Sequence, residues 1–167
     1  VQSFAEKNRE RVEFFQYLQW VAEIQLQAAG QESFDNRMPI GLCHTVAYGC
    51  PAYGADIWCD QRLYAKDVQL EKRDEHHLLW RELGYSPVVP EQLNEAGYQP
   101  FIAILRATMR YGGGMSLEDA LEFQAPTWSR GDSSIEMTYN RQFIHDLRAV
   151  AILESHRQKC AIIARHR

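Results

Sequence analysis

The sequence has no Cys-x-x-Cys pair, no long apolar run and no surplus of positive charge, and each absence removes a class of protein. Cys43, Cys50, Cys59 and Cys160 are spread over a chain of 167 residues, a length that builds a core without covalent staples, so reduced thiols are expected. Cys43, His44, Cys50 and Cys59 follow no spacing used by common zinc sites, and neither a metal nor any other cofactor is expected. No segment approaches the roughly 20 apolar residues that cross a bilayer, and the first residues lack the basic-then-apolar order of a signal peptide. A cytoplasmic protein with no membrane partner is expected. With 18 basic and 22 acidic residues the net charge is −4, which argues against a phosphate-binding surface and against nucleic acid as a partner.

What the chain does have is apolar patterning. It is 46% hydrophobic and 11% aromatic, ample for a packed core, and residues 1–167 are expected to form a single unit. From Phe4 to Ala29, Phe14, Leu18, Val21, Ile24 and Leu26 fall mostly at helical spacing; Gly30 is the predicted stop, and the cluster Phe14, Phe15, Tyr17 and Trp20 is expected to pack into the core. Pro39 to Cys43 reads as a short buried strand with His44 and Thr45 at its end. Tyr48 to Pro90 is the least regular stretch; its charged run Glu71 to His77 alternates in sign and reads as a solvated helix face. Within that run Asp74, Glu75, His76 and His77 do not converge as a metal site, because adjacent helical residues point apart.

Pro90 opens a helical turn through Glu95, and Gly97 leads into a helix whose Phe101, Leu105 and Met109 recur every four residues. Tyr111 to Gly114 ends it, its glycines suited to the left-handed backbone needed at a helix C-terminus. Two readings of the next segment stand. Met115 to Glu118 fits a short buried strand with Glu118 and Asp119 at its chemically useful end, and Ser116-Leu-Glu-Asp119 also fits a capping box opening a helix through Phe123. Gln124 to Ser134 reads as a loop, Phe143 to Lys159 as a helix bearing Ile144, Leu147, Ala151 and Leu153, and Cys160 to Ala164 as a third short strand. Helices alternating with short apolar strands predict an α/β fold with a parallel sheet.

Several stretches resemble one family. Glu13-Phe-Phe-Gln-Tyr-Leu-Gln-Trp20 with Gln25-Leu26, Met38-Pro-Ile-Gly-Leu42, Tyr53 to Ala65, Gly97 to Arg110, and Ala151 to Arg157 with Cys160 are similar to consecutive segments of the 4-alpha-glucanotransferases, the amylomaltases or disproportionating enzymes. The resemblance implies part of a (β/α)8 TIM barrel, the middle segment of the catalytic barrel. It also implies transfer of α-1,4-glucan segments between maltooligosaccharides without a cofactor.

The chemistry-bearing motifs differ from the family's. Where the family reads Arg-Ile-Asp-His, this chain reads Ser116-Leu117-Glu118-Asp119, so a glutamate stands in the nucleophile register. The general-acid motif Gly-Glu-Asp-Leu is replaced by Ala164-Arg165-His166-Arg167, the first strand ends in Thr45 instead of aspartate, and Trp80 to Gly84 replaces Gly-Gln-x-Trp-Gly. Val68 to Arg73 lacks the prolines of the family loop, and the third catalytic aspartate is expected beyond the C-terminus. Retaining glycosyl transfer needs two carboxyl groups about 5 to 5.5 Å apart. Arginine protonates nothing near neutral pH, and one extra methylene misplaces the Glu118 carboxylate.

The chain is therefore expected to be catalytically inactive, with Glu118 as the catalytic candidate and Trp58, Tyr64 and Trp80 as candidates for stacking on an α-glucan or maltooligosaccharide. Alternatives are a non-catalytic scaffold, a glucan-binding module or a helical interaction module. A partial barrel is further expected to self-associate through uncovered strand edges.

Overall fold

The computed structural model describes residues 2–46, 50–66, 68–73, 80–82, 85–117, 127–130, 133–135 and 139–163, with the strand segments at 69–73, 80–82, 127–130 and 133–135 described by their backbone. The chain begins with helices α1 (Gln2–Lys7) and α2 (Arg9–Asp35), then β1 (Cys43–Thr45), β2 (Cys50–Pro51) and α3 (Ala55–Cys59). Strands β3 (Gln69–Arg73), β4 (Trp80–Glu82) and β5 (Tyr85–Ser86) precede helices α4 (Pro90–Glu95) and α5 (Gln99–Met109). The remaining elements are β6 (Gly114–Ser116), β7 (Thr127–Arg130), β8 (Ser133–Ile135), α6 (Arg141–Gln158) and β9 (Ala161–Ile163).

The centre is a parallel sheet in the order β1-β6-β9. Cys43, Gly114 and Ala161 stand in one register, followed by His44, Met115 and Ile162, then Thr45, Ser116 and Ile163. The expected strand at Cys160 is met within a residue. The expected strand at Pro39 to Cys43 starts later, at Cys43, because the preceding residues are occupied in a crossing with the glycines. A β-carbon on Gly112 would run into the Leu42 carbonyl, and one on Gly113 into the Ile40 carbonyl. Positive φ among the described glycines occurs at Gly41 and Gly97 alone, so the glycine run serves close backbone approach and not the left-handed helix ending expected of it.

Helices α5 and α6 cover one face of this sheet. In α5, Phe101, Leu105 and Met109 are buried as their four-residue spacing predicts. Asn140 caps α6 by accepting a hydrogen bond from the Phe143 amide at 2.8 Å, satisfying one of the helix's free amides. Phe143, Ile144, Leu147 and Ala151 are buried on α6, and the next core position is taken by Glu154. Leu153, expected inward, is half exposed. The core cluster joins these residues to Val46, Leu63, Tyr64, Val68, Val88, Leu93 and Met115.

Two features depart from the expected alternation. The stretches read as irregular, and the charged run read as a helix face, contribute to a four-stranded antiparallel sheet in the order β4-β3-β7-β8. Glu71, Lys72 and Arg73 pair with Glu82, Arg81 and Trp80, so this part of the run is strand, and alternating charge is as compatible with strand period as with a helix face. His76 and His77 lie outside the described residues. Helix α2 also continues through Gly30, which packs where a β-carbon would meet the Tyr111 carbonyl oxygen at 2.6 Å. Its aromatics do not enter the core: Phe14, Phe15, Tyr17 and Trp20 are 54–58% exposed. Along α2 only Ser33 is buried.

Candidate functional site

In a parallel α/β sheet the loops after the strands' C-terminal ends carry function. Those ends here are Thr45, Ser116 and Ile163, and the ladder runs one residue further, with the Val46 amide donating to the Ser116 carbonyl at 2.9 Å and the Leu117 amide to the Ile163 carbonyl at 3.2 Å. Side chains alternate across a strand. Met115 is fully buried toward the helices, so Thr45, Ser116 and Ile163 share the opposite sheet face, where Thr45 and Ile163 are exposed. The first end to be filled by the chain's own chemistry is therefore a pair of hydroxyls in register, Thr45 beside Ser116. The Ser116 hydroxyl is buried and finds no hydrogen-bond partner among the described residues. Ser116 ends β6, and the helix that it would cap in the second reading lies outside the described residues. Glu118, the catalytic candidate, lies outside the described residues, as do Ala164 to Arg167.

The aromatic candidates separate clearly. Trp58, on the short helix α3, is partly buried and meets Phe4 edge to face with ring centroids 6.5 Å apart. With Gln2, Ser3 and Cys59 it lines an open recess. Tyr64 has 6% of its surface exposed and belongs to the core. It forms an isolated antiparallel bridge with Val88, and burial, reinforced by the charges of Asp56, Cys50 and Asp60, pushes its hydroxyl well above the ordinary tyrosine range. A ring so enclosed offers no face for a sugar. Trp80 is in β4, described by its backbone. Asp56 and Asp60 are exposed, and Asp60 Oδ1 accepts a hydrogen bond from the Arg62 amide at 3.1 Å.

Among the described residues, two acids have carboxyl groups held below their ordinary range, and both are tied to arginines away from the strand ends. Arg106 donates through Nε to Glu154 Oε2 at 2.7 Å and through Nη2 to Oε1 at 3.2 Å, and Arg157 adds Nη1 to Oε1 at 2.6 Å. The Arg106 hydrogen bond is the largest cause holding the carboxyl down, opposed by desolvation. Glu23 accepts from Tyr111 at 2.7 Å and pairs with Arg110; the Tyr111 hydrogen bond is the largest cause of its lowered pKa, the Arg110 hydrogen bond the next. Both acids stay ionised and dock helices, α6 on α5 and α2 on the end of α5. Sequence reading passed over Glu154, although Leu147, Ala151 and Glu154 fall at four- and three-residue steps on one helix face.

The four cysteines are unpaired. No group of three metal-ligating side chains occurs among the described residues, and no described helix is long and apolar enough to cross a membrane.

Known proteins resemble this chain over most of its length. A family model described as 4-alpha-glucanotransferase matches residues 1–165. The 4-alpha-glucanotransferase of Mycobacterium tuberculosis (strain ATCC 25618 / H37Rv) is 28% identical over 166 residues, 98% of this chain and 23% of the relative. That of Haemophilus influenzae is 27% identical over 158 residues, 93% of this chain and again 23% of the relative. Among solved structures, amylomaltase from Corynebacterium glutamicum superposes with a TM-score of 0.78 at 24% identity, covering 93% of this chain and 22% of that one. The amylomaltase from Streptococcus agalactiae, solved in complex with acarbose, gives 0.57 at 11% identity over 74% of this chain and 26% of its own. At those identities the structures establish the fold, an α/β architecture corresponding to part of a TIM barrel. The chain spans about a quarter of the length of these relatives. With the family model matched from end to end of the described sheet, the chain belongs to the 4-alpha-glucanotransferase family.

Proposed function

We propose that residues 1–167 act as a single cytoplasmic unit that keeps the 4-alpha-glucanotransferase scaffold but does not transfer glucan, and that its remaining ligand is an α-1,4-glucan or maltooligosaccharide held weakly at Trp58. What supports this reading is the strand ends, where Thr45 stands in place of the family's aspartate and Ser116, in register with it, in place of its arginine. Retaining transfer needs one carboxylate to attack the anomeric carbon and a second carboxyl to protonate the leaving oxygen. Hydroxyl groups of ordinary acidity do neither at neutral pH. Among the described residues, the two carboxylates whose acidity is altered, Glu23 and Glu154, are shifted toward the anion by arginine or tyrosine donors, the opposite of what a general acid requires. Trp58 remains the aromatic candidate with described, partly open surface.

The second reading is an active transglycosylase. It is favoured by the family match running through position 118, where Glu118 follows Leu117 in the nucleophile register. One experiment separates the two: maltotriose is incubated with wild type and Glu118→Gln, and glucose and longer oligomers are followed. No product from either protein is the expected result. Product from wild type that disappears in Glu118→Gln would establish the active reading. Calorimetry with maltooligosaccharides tests the binding component, which is expected to give weak heat that Trp58→Ala abolishes; no heat from wild type removes it.

A further inference from the structure

The open recess beside Trp58 has walls from two helices, Gln2 and Ser3 from α1 and Trp58 and Cys59 from α3, around about 590 Å³ of space; small-molecule sites run to roughly 300 to 1,000 Å³. The α3 wall is tied to β2, because Gly54 at the start of the helix packs against Cys50 Sγ and the Pro51 backbone where no β-carbon fits. The α1 wall is held by Phe4, whose ring meets Trp58 at an interplanar angle of 79° and whose carbonyl accepts from Asn8 Nδ2 at 3.0 Å. A perpendicular neighbour takes at most one face of the indole. Gln2 and Ser3 are exposed and bring an amide and a hydroxyl to the same recess. No charged side chain lines it. An aromatic face beside neutral donors and acceptors suits a neutral ring with an apolar face and a hydroxyl edge, not an anion or a cation.

Building on the glucan reading above, we propose that this recess holds a single glucose residue of the glucan, stacked on Trp58 with its hydroxyls bonded by Gln2 and Ser3. Stacking a run of sugar residues takes a run of rings, and Trp58 is the only aromatic lining the recess among the described residues. Further residues of the oligosaccharide therefore extend into water. Maltose, maltotriose and maltoheptaose bind alike, up to the small statistical gain from repeated residues.

The cysteines supply a test that reads position as well as affinity. Cys59 lines the recess and is exposed, Cys43 is exposed on β1 of the parallel sheet, and Cys50 and Cys160 are buried. Alkylation by iodoacetamide is followed at each thiol by mass spectrometry, with and without maltotriose, alongside calorimetry with the three sugars. Maltotriose is expected to slow alkylation of Cys59 and to leave Cys43 unchanged, and the three sugars to bind with similar affinity. Gln2→Ala and Ser3→Ala should each weaken binding roughly two- to tenfold, the loss of one hydrogen bond, with an unchanged far-ultraviolet dichroism spectrum. Heat without protection of Cys59 overturns the recess and leaves the glucan reading standing. So does protection of Cys43 instead, which would put the sugar at the sheet, or affinity that climbs steeply with chain length. No heat from any of the three sugars overturns the glucan reading itself, and the recess with it.

Discussion

Helix α5 leaves Phe101, Leu105 and Met109 at 3% exposure or less, whereas α2 leaves Phe14, Tyr17 and Trp20 more than half exposed. Both segments are rich in apolar residues at helical spacing, yet one is core and the other is not. The difference lies in the neighbours. Helix α5 has α6 alongside, Leu93 of α4 at its start and the sheet beneath, all within the same cluster of buried side chains. Helix α2 is fastened at Glu23 and Gly30, and Phe14, Phe15, Tyr17, Leu18, Trp20, Ile24 and Leu26 along it are all exposed. Periodicity reports that a face wants burial; it does not report who provides it.

The largest effect that sharpens this comparison is expected at the crossing beneath β6. Gly113→Val places a side chain against the Ile40 carbonyl, Cα and carbonyl carbon, all backbone atoms. A loss of about 3 kcal/mol or more, or failure to fold, is expected in chemical denaturation. Gly97→Ala meets open space but positive φ, so about 1 kcal/mol is expected there. If the two variants were equally stable, the glycine crossing would not be the constraint described.

Next in size is Leu105→Ala, at a site with no exposure, expected to cost about 2 to 5 kcal/mol. Phe15→Ala, exposed on α2, should stay within about 0.5 kcal/mol. Equal losses would mean that Phe15 is buried in solution.

The smallest expected effect is a pH dependence. Glu154 has its carboxyl lowered in the folded state by Arg106 and then Arg157, so its stabilisation is fully present above the unfolded carboxyl range and is lost as pH falls through the lower folded value. Thermal melts of wild type should therefore fall more steeply on acidification than those of Glu154→Gln, whose melting temperature starts lower at neutral pH. Parallel slopes would show that the ion pair contributes nothing in solution.

How far the sequence spoke is clear from particular elements. Helices α4, α5 and α6 and strand β9 were legible because local period and local punctuation agree there, while β6 was one of two readings of its segment. Strand β3 was not: Gln69–Arg73 is mostly polar, and alternating charge serves a helix face or a strand equally well. Strands β7 and β8 had a signal that went unused. Trp128 pairs with Ile135 and Arg130 with Ser133, leaving Gly131-Asp132 between the paired ends, and Gly-Asp between two short runs is a hairpin cue. Tyr64 was singled out as an aromatic surface, but its depth depends on the bridge to Val88, a contact between distant segments that no local pattern carries. The strand-end hydroxyls were legible as departures from a family motif, while the pairing of Thr45 with Ser116 required the register.

The glycine crossing and the hydroxyl pair stand at opposite ends of one strand only three residues long. At its entrance, Gly112 and Gly113 accept no other side chain because backbone passes where a β-carbon would go. At its exit, Ser116 has no described partner that fixes what must stand there. A side chain at Gly112 or Gly113 would therefore disturb the backbone that builds the sheet, whereas exchanging the Ser116 hydroxyl breaks no described hydrogen bond.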